Sequence, residues 1–304
     1  CFSEGFHGRT LLCMTLTSKT PYKVDCGPFA PEVYRFPYPD HFHSGGGLDE
    51  ATFVRRELAR LEDAFGSYVA AEQVAAIIIE PVLGEGGFVP APAAYLRGLR
   101  ELCDRHGILL IADEVQTGFG RTGRWAAYEH AGIVPDLSAW AKSLGGGMPI
   151  AFVVGKADVM EAARPGTIGG TSGGNPVSCA AALATIRRMQ ELRLHERATI
   201  LGRTMIERLE ALKERSGWVG DVRGLGAMVA LELCHERDPS RPARAEMERV
   251  FARCHERGLL VIPASRHGNV LRILCPLVIT DEDLNQALAI IEEAVLSLSA
   301  KVHP

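Results

Sequence analysis

The sequence predicts an α/β protein, a mostly parallel sheet flanked by helices, followed by a smaller α+β C-terminal domain. Three observations carry this. The run Ile108-Leu109-Leu110-Ile111-Ala112 is apolar throughout and ends in Asp113. That is the pattern of a parallel strand buried on both faces, with a carboxylate at the strand end where open α/β sheets hold ligands. Ahead of it stand a second such run, Val74 to Ile79 ending in Glu80, and a helix-patterned stretch from Ala93 to His106 closed by Gly107. Strand, helix and strand in that order require a right-handed crossover between parallel neighbours. After about residue 190 the composition turns to Arg- and Glu-rich amphipathic stretches and alternating strands. The chain is therefore divided into a large domain, residues 1–190, and a small one, residues 191–304.

Residues 1–20 read as a strand end, a loop carrying Phe6, His7 and Arg9, and an apolar segment from Thr10 to Thr17. From Pro21 to Gly47 proline, glycine and aromatic residues mix without periodicity, which reads as an ordered loop. Leu48 to Val69 has helical spacing, with Phe53, Leu58, Leu61 and Phe65 on one face and charges on the other. Leu137 to Trp140 and Ala151 to Val154 are further strands, and Pro176 to Gln190 is a helix with proline in its first turn, where no N–H is missed. In the small domain His195 to Arg215 is a helix, Val219 to Arg223 and Met228 to Leu233 are strands, and Asp238 to Pro242 is a turn. Ala243 to Arg257, Leu259 to Ile262, Val270 to Leu274 and Asp281 to Leu298 read as helix, strand, strand and helix. Asp281 puts an acid in the first turn of the last.

With 304 residues, 47% of them hydrophobic, the chain can bury a sizeable core. A formal charge of -4 leaves no basic footprint for nucleic acid, so a small-molecule partner is expected. No apolar run approaches the roughly 18 residues that would span a bilayer, and no charged-then-apolar leader opens the chain, so no membrane partner is expected. The eight cysteines form no Cys-x-x-Cys pair and read as reduced thiols in a cytoplasm. His41-x-His43 has the look of a metal-ligand pair but lacks a well-placed third ligand, so no metal site is expected. Gly145-Gly146-Gly147 meets neither Rossmann nor P-loop spacing.

Those glycines follow Ala141-Lys142-Ser143 and let backbone approach a flat ligand. Read alone, Lys142 could be an ordinary exposed lysine and Asp113 a structural acid. They do not stand alone. Gly5-Phe6-His7-Gly8-Arg9-Thr10, Glu80-Pro81-Val82-Leu83-Gly84-Glu85-Gly86-Gly87, Gly169-Gly170-Thr171, Gly174-Asn175-Pro176 and Gly268-Asn269-Val270-Leu271-Arg272 extend the pattern over nearly the whole chain. Together they resemble the class III (omega-amino acid) aminotransferases, pyridoxal-phosphate enzymes of fold type I. The resemblance implies that Lys142 anchors the cofactor aldehyde covalently and shuttles a proton. An amine attacks an aldehyde only when unprotonated, so a pocket that lowers its pKa favours both roles. Asp113 would hold the cofactor's ring nitrogen protonated, which makes the ring an electron sink. The resemblance further implies that Phe6 and Val115 pack the two ring faces, that Gln116 hydrogen-bonds the ring hydroxyl, and that His7 joins the cofactor site. Thr171 would reach the cofactor phosphate across the subunit interface of a homodimer with shared active sites. Ser172 departs from the tyrosine of the family pattern.

On the substrate side the resemblance implies Arg9, Glu80, Glu85 and Arg272. Arg9 would bind the far carboxylate of an omega-amino acid, and Arg272 the α-carboxylate of 2-oxoglutarate or glutamate through a bidentate fork. An unpaired buried arginine is costly, so Glu85 would pair with Arg272 whenever the substrate has no α-carboxylate. The implied reaction moves the amino group of an omega-amino acid, 4-aminobutyrate first, to 2-oxoglutarate, giving succinate semialdehyde and glutamate. 5-Aminovalerate, diaminobutyrate and ornithine are alternative donors, and a catalytically silent chain serving only as a subunit or interaction module is the alternative of another class. The chain begins at Cys1 within what the resemblance marks as a strand end. A preceding segment is therefore expected, with a first strand and a Ser-Gly loop gripping the phosphate at a helix N-terminus.

Overall fold

A computed structural model of the protein describes residues 1–299. Its first half contains α1 (Leu11–Leu16), α2 (His41–Ser44), α3 (Glu50–Ala64), β1 (Ala76–Ile79), β2 (Val82–Leu83), β3 (Val89–Pro90), α4 (Ala93–His106), β4 (Leu109–Asp113) and β5 (Leu137–Trp140). Next come β6 (Phe152–Gly155), α5 (Ala157–Glu161), α6 (Pro176–Glu191), α7 (Leu194–Arg215), β7 (Val219–Leu225) and β8 (Met228–Leu233). The chain continues through α8 (Arg244–Glu256), β9 (Ile262–Ala264), β10 (Val270–Ile273) and α9 (Asp281–Leu296).

The first sheet has the order β1-β4-β5-β6. β1 and β5 run parallel to β4, and β6 pairs antiparallel with β5, so the sheet is mostly parallel. Ile77 and Ile79 of β1 and Leu110 of β4 pack with Phe53 and Leu61 of α3 and Leu96 and Leu99 of α4. Helix α4 is the crossover from β1 to β4, and Gly107, in the left-handed conformation, ends it by returning its N–H to the Cys103 carbonyl. Asp49 caps α3 by accepting from the Thr52 N–H. That helix stops at Ala64, short of Val69, because the Tyr68 and Val69 amides fold back on the Ala64 carbonyl.

The second sheet, β7-β8-β10-β9, is antiparallel throughout. Leu201, Met205 and Leu209 of α7, Met247 and Val250 of α8 and Leu288 and Ile291 of α9 pack with Leu231 and Leu271 of its strands. Thr280 caps α9 by accepting from the Asp283 N–H, and Asp281, Glu282 and Asp283 put negative charge against the positive end of the helix dipole. The β2–β3 hairpin joins the sheets: Val82 and Phe88 pack with Met228, Ala230, Ala264 and Val270. Its turn, residues 84–87, is thereby held against the second sheet.

Three elements differ from the sequence reading. The strand expected over Leu259 to Ile262 lies later, at Ile262–Ala264. The Gly258 and Leu259 amides are spent closing α8 on the His255 and Cys254 carbonyls, which leaves Leu260 in solvent. The apolar stretch from Thr10 to Thr17 contains helix α1, where the Thr15 and Thr17 hydroxyls donate to the Leu11 and Cys13 carbonyls four residues back. Within the stretch read as loop, α2 forms one turn, capped by Asp40 through the His43 N–H. Among the described residues no helix is long and apolar enough to cross a membrane.

Candidate active site

β4 and β5 are parallel neighbours with Asp113 opposite Ala139, so the residues that leave both strands emerge side by side. Asp113 is the last residue of β4 and is buried. Its Oδ1 accepts from the Val115 N–H at 3.1 Å, and its Oδ2 lies 2.8 Å from His7 Nδ1. The carboxylate is thus held rigidly from two sides. Lys142 opens the turn after β5 with φ of 48°. A residue with a Cβ pays about 1–2 kcal/mol for that left-handed conformation, so the surrounding structure imposes it. Lys142 is exposed to solvent, yet the protein packed around its ammonium lowers it below the usual lysine range; the carboxylates of Glu80, Asp113 and Glu85 oppose this and Arg272 reinforces it.

Glu114 points the other way, as alternation at a strand exit demands. Its Oε1 accepts from the Tyr128 N–H at 3.0 Å and its Oε2 from the Thr117 hydroxyl, fastening the loop behind Asp113. Burial pushes its carboxyl up to about 7 against those hydrogen bonds. Sequence reasoning passed over Glu114, although an acid adjoining Asp113 in an apolar strand already announced a second buried carboxyl.

Glu80 leaves β1 beside this pair and braces two loops. Its Oε1 accepts from the Phe6 N–H and its Oε2 from the Gly84 N–H, both at 2.8 Å. Burial raises its carboxyl above the usual range, Asp113 adds to the rise, and His7 and the two amides work against it. At Gly84 a Cβ would stand 2.2 Å from Gln116 Oε1, so only glycine permits this approach. Among the described residues Gln116 Oε1 is buried with no hydrogen-bond partner. A buried acceptor left so costs about 1–3 kcal/mol, and a donor-bearing ligand such as the hydroxyl of a pyridoxal ring relieves it.

Across from these groups Arg272 of β10 donates from Nη1 to Glu85 Oε1 at 2.8 Å and to the Gly84 carbonyl at 3.2 Å. Its side chain is only 8% exposed, so the guanidinium needs that counterion. Glu85 Oε2 accepts from the Tyr22 hydroxyl at 3.4 Å and lies 3.7 Å from Lys19 Nζ. Burial would raise the Glu85 carboxyl, but the hydrogen bond and charge of Arg272, with Lys19 and Lys142, hold it below the usual range. Arg9 is exposed, its guanidinium 4.4 Å from the Tyr22 ring centroid and 5.8 Å from that of Phe6, and the two rings meet edge to face. Tyr22 and Lys19 come from a stretch without periodicity, where no local signal marks them. Thr171 lies in an exposed stretch and joins none of these contacts.

Residues 1–295 match the family model described as aminotransferase class-III. Over 292 residues the chain is 41% identical to a probable 4-aminobutyrate aminotransferase of Bacillus subtilis (strain 168), covering 96% of this chain and 67% of that protein. It is 44% identical over 299 residues to a 5-aminovalerate aminotransferase of Pseudomonas putida, covering 98% of this chain and 68% of that one. An amine transaminase from an uncultivated Pseudomonas species, solved in its PLP-bound form, shares the fold with a TM-score of 0.89 at 31% identity, covering 97% of this chain and 68% of that chain. The chain thus spans about two thirds of the length of these relatives. Its architecture is that of the fold type I pyridoxal-phosphate enzymes. With the whole described core matched and the lysine, carboxylate and orphaned amide oxygen gathered where parallel strands end, the chain belongs to the class-III aminotransferases and is a transaminase dependent on pyridoxal 5'-phosphate.

Proposed function

We propose that the chain moves the amino group of an omega-amino acid, 4-aminobutyrate first, to 2-oxoglutarate, giving succinate semialdehyde and glutamate. The observation that carries this reading is the Arg272–Glu85 pair: a nearly buried guanidinium whose counterion is a half-buried side chain. A donor without an α-carboxylate leaves the pair intact. A substrate with one takes the place of Glu85, whose second oxygen already faces Lys19 and Tyr22. One pocket can then serve both substrates of the reaction. Arg9, steadied over Tyr22 and Phe6, takes the far carboxylate. A donor longer by one methylene, 5-aminovalerate, is the second reading, favoured by the similarity to the Pseudomonas putida protein.

Bound pyridoxal phosphate supplies an aldehyde that takes the amino group and a ring that accepts electrons from the carbon losing its proton. Lys142 Nζ, with its basicity lowered, holds that aldehyde and carries the proton. Asp113, fixed by His7 and the Val115 amide, would supply negative charge to the ring nitrogen. Phe6 and Val115 would pack against the ring and Gln116 Oε1 would accept from its hydroxyl, while Glu80 keeps the Phe6 and Gly84 loops in register. Thr171 of the partner subunit completes the phosphate site in a homodimer. The division into a cofactor domain, residues 1–190, and a small domain, residues 191–304, belongs to this reading. So does a cytoplasmic setting, which the eight free cysteines support.

Single-turnover kinetics of Glu85→Gln and Arg272→Ala test it. Glu85→Gln is expected to slow the 4-aminobutyrate half-reaction at least about tenfold more than the glutamate half-reaction, a difference of about 1.4 kcal/mol, and Arg272→Ala to show the reverse bias. Equal losses in both half-reactions for both variants would remove the exchange of counterions.

A further inference from the structure

We propose that Arg223 is a positioning residue for the turn that carries Glu85, holding its backbone still while the Glu85 side chain changes partner. This rests on the counterion exchange at Arg272 proposed above. The turn of residues 84–87 is gripped through three carbonyls, by two side chains of the second sheet and by the backbone just past β9. Arg272 Nη1 donates to the Gly84 carbonyl at 3.2 Å, the Ser265 N–H to the Glu85 carbonyl at 3.3 Å, and Arg223 Nε to the Gly87 carbonyl at 3.0 Å. Arg272 leaves that grip free to answer substrate, and Ser265 supplies only backbone. Arg223 is the side chain whose reach to the turn is independent of the substrate.

Behind Arg223 stands a network of polar groups with Glu232 and Asn269 buried at its centre, while Arg223 Nη2 has no hydrogen-bond partner among the described residues. Its Nη1 donates to Asp221 Oδ2 at 2.8 Å and to Glu232 Oε2 at 2.6 Å. Glu232 is 1% exposed; its Oε1 lies 2.8 Å from His43 Nε2 and accepts from Asn269 Nδ2 at 3.0 Å. Asn269 Oδ1 in turn accepts from the Ser265 hydroxyl at 3.0 Å, so the network returns to the second residue that grips the turn. The two outer grips, Arg223 and Ser265, are thus parts of one scaffold, cross-braced by Glu232 and Asn269. At Gly87, with φ of 116°, a Cβ would stand 3.1 Å from Arg223 Nη2, so the bare backbone packs against the guanidinium.

A buried ion pair adds little net stability over apolar side chains of the same volume. The Arg223–Glu232 pair is therefore weakly explained by folding alone. An apolar residue at 223 could fill the space but could not donate to Gly87. Without that donor the turn gains freedom, and Glu85 meets Arg272 less often at 2.8 Å. Misplacement of about 1 Å costs a positioned group up to about a hundredfold. The loss falls on the half-reaction that needs the Glu85–Arg272 pair formed, that of the donor lacking an α-carboxylate.

The test uses the cofactor-loaded enzyme with Arg223→Met, Arg223→Lys, Glu85→Gln and the double variant Glu85→Gln/Arg223→Met. In single turnovers Arg223→Met is expected to slow the 4-aminobutyrate half-reaction about tenfold more than the glutamate half-reaction, and to add no further bias once Glu85 is glutamine. Arg223→Lys, which cannot serve Gly87 and Glu232 together, is expected to fall between. A second readout is independent of turnover: the Gly87 amide donates to the Gly84 carbonyl, and its hydrogen exchange is expected to quicken at least about tenfold in both Arg223 variants. Equal slowing of both half-reactions by an Arg223 variant, full bias persisting in the Glu85→Gln background, or unchanged exchange at Gly87 would each overturn the proposal. If Glu85→Gln alone shows no bias, the counterion exchange has failed, and Gly87 exchange still decides whether Arg223 steadies the turn. Where Arg223→Met does not fold, Arg223→Lys carries both readouts.

Discussion

The two four-stranded sheets treat similar apolar sequence in opposite ways. Every residue of β8 is buried, Glu232 included, whereas no residue of β6 is. Three helices, α7, α8 and α9, pack with the second sheet, while Val153 and Val154 on β6 are 53% and 52% exposed. At the opposite end of the first sheet a cavity of about 810 Å³ opens beside β1, lined by Phe2, Leu12, Leu16, Leu61, Ile77 and Ile111. The sealed sheet holds buried charge against opposite charge, as Arg223 does with Asp221 and Glu232. The open sheet presents Asp113, paired with His7, and Lys142 at its strand ends, where they can meet a ligand. Arg272 and the scaffold behind the Glu85 turn come from the closed sheet, and the groups proposed for chemistry from the open one.

The largest expected effects test the open half. Lys142→Ala is expected to abolish turnover, and Asp113→Asn to cost orders of magnitude in rate while cofactor is still retained. Lys142 is exposed, so its truncation is expected to move the thermal midpoint by only a few degrees, roughly 1 kcal/mol or less, whereas Asp113 is buried against His7 and Asp113→Asn is expected to cost more. Borohydride reduction that fixed the cofactor on Lys19 or Lys156, or near-normal turnover of Asp113→Asn, would refute those roles. A midpoint collapsing with either variant would show that the open sheet depends on its strand-end charges for folding.

Leu231→Ala and Val153→Ala compare the two sheets directly. Leu231 is fully buried and its truncation is expected to cost about 2–5 kcal/mol by urea unfolding, whereas Val153→Ala stays within about 0.5 kcal/mol. Similar losses at both positions would mean that β6 is covered in solution. Val153→Lys addresses the same point at higher protein concentration. β6 is an edge strand with exposed apolar side chains, so a charge there is expected to lower light scattering. Unchanged scattering would place self-association elsewhere.

The sheet contrast was only partly legible in sequence. The parallel sheet could be read because Val74 to Glu80 and Ile108 to Asp113 are unbroken apolar runs that each end in an acid, around a helix with a glycine cap. Phe152-Val153-Val154 and Met228-Val229-Ala230 look alike as strings, and only the packing of helices separates an exposed strand from a sealed one. In the site, Lys142, Asp113, Glu85 and Arg272 could be named because their motifs are local. Tyr22 and Lys19 reach Glu85 from a stretch without pattern, and Arg223 reaches Gly87 across 136 residues, so neither contact leaves a trace in spacing. The strand expected at Leu259 to Ile262 failed for a local reason: apolarity there could not reveal that two amides were needed to close α8.

The smallest expected effect is a pH dependence at the outer end of the buried network. His43 faces Asp40 on its own segment and Glu232 from β8, with Arg223 behind Glu232. Burial works against its charge, but hydrogen bonds to both carboxylates dominate and raise it from 6.5 to about 10. Burial likewise opposes the Glu232 charge, and His43 and Arg223 overcome it, lowering that carboxyl from 4.5 to about 2. For His43, raised on folding, the stabilisation is whole below pH 6.5 and is lost as pH climbs through about 10. For Glu232, lowered on folding, it is whole above pH 4.5 and is lost as pH falls through about 2. The link between α2 and β8 is therefore strongest between pH 4.5 and 6.5. His43 is 30% exposed, so solvent screening holds the effect to about 1 kcal/mol. Urea unfolding of the parent chain and His43→Gln across pH isolates it, since other titrating groups are common to both. The stability gap is expected to be widest in that window and to close steadily from pH 6.5 toward 10. A gap that widened with rising pH would mean that His43 is neutral when it meets Glu232, and that the charge balance of the sealed sheet has to be redrawn around Arg223 alone.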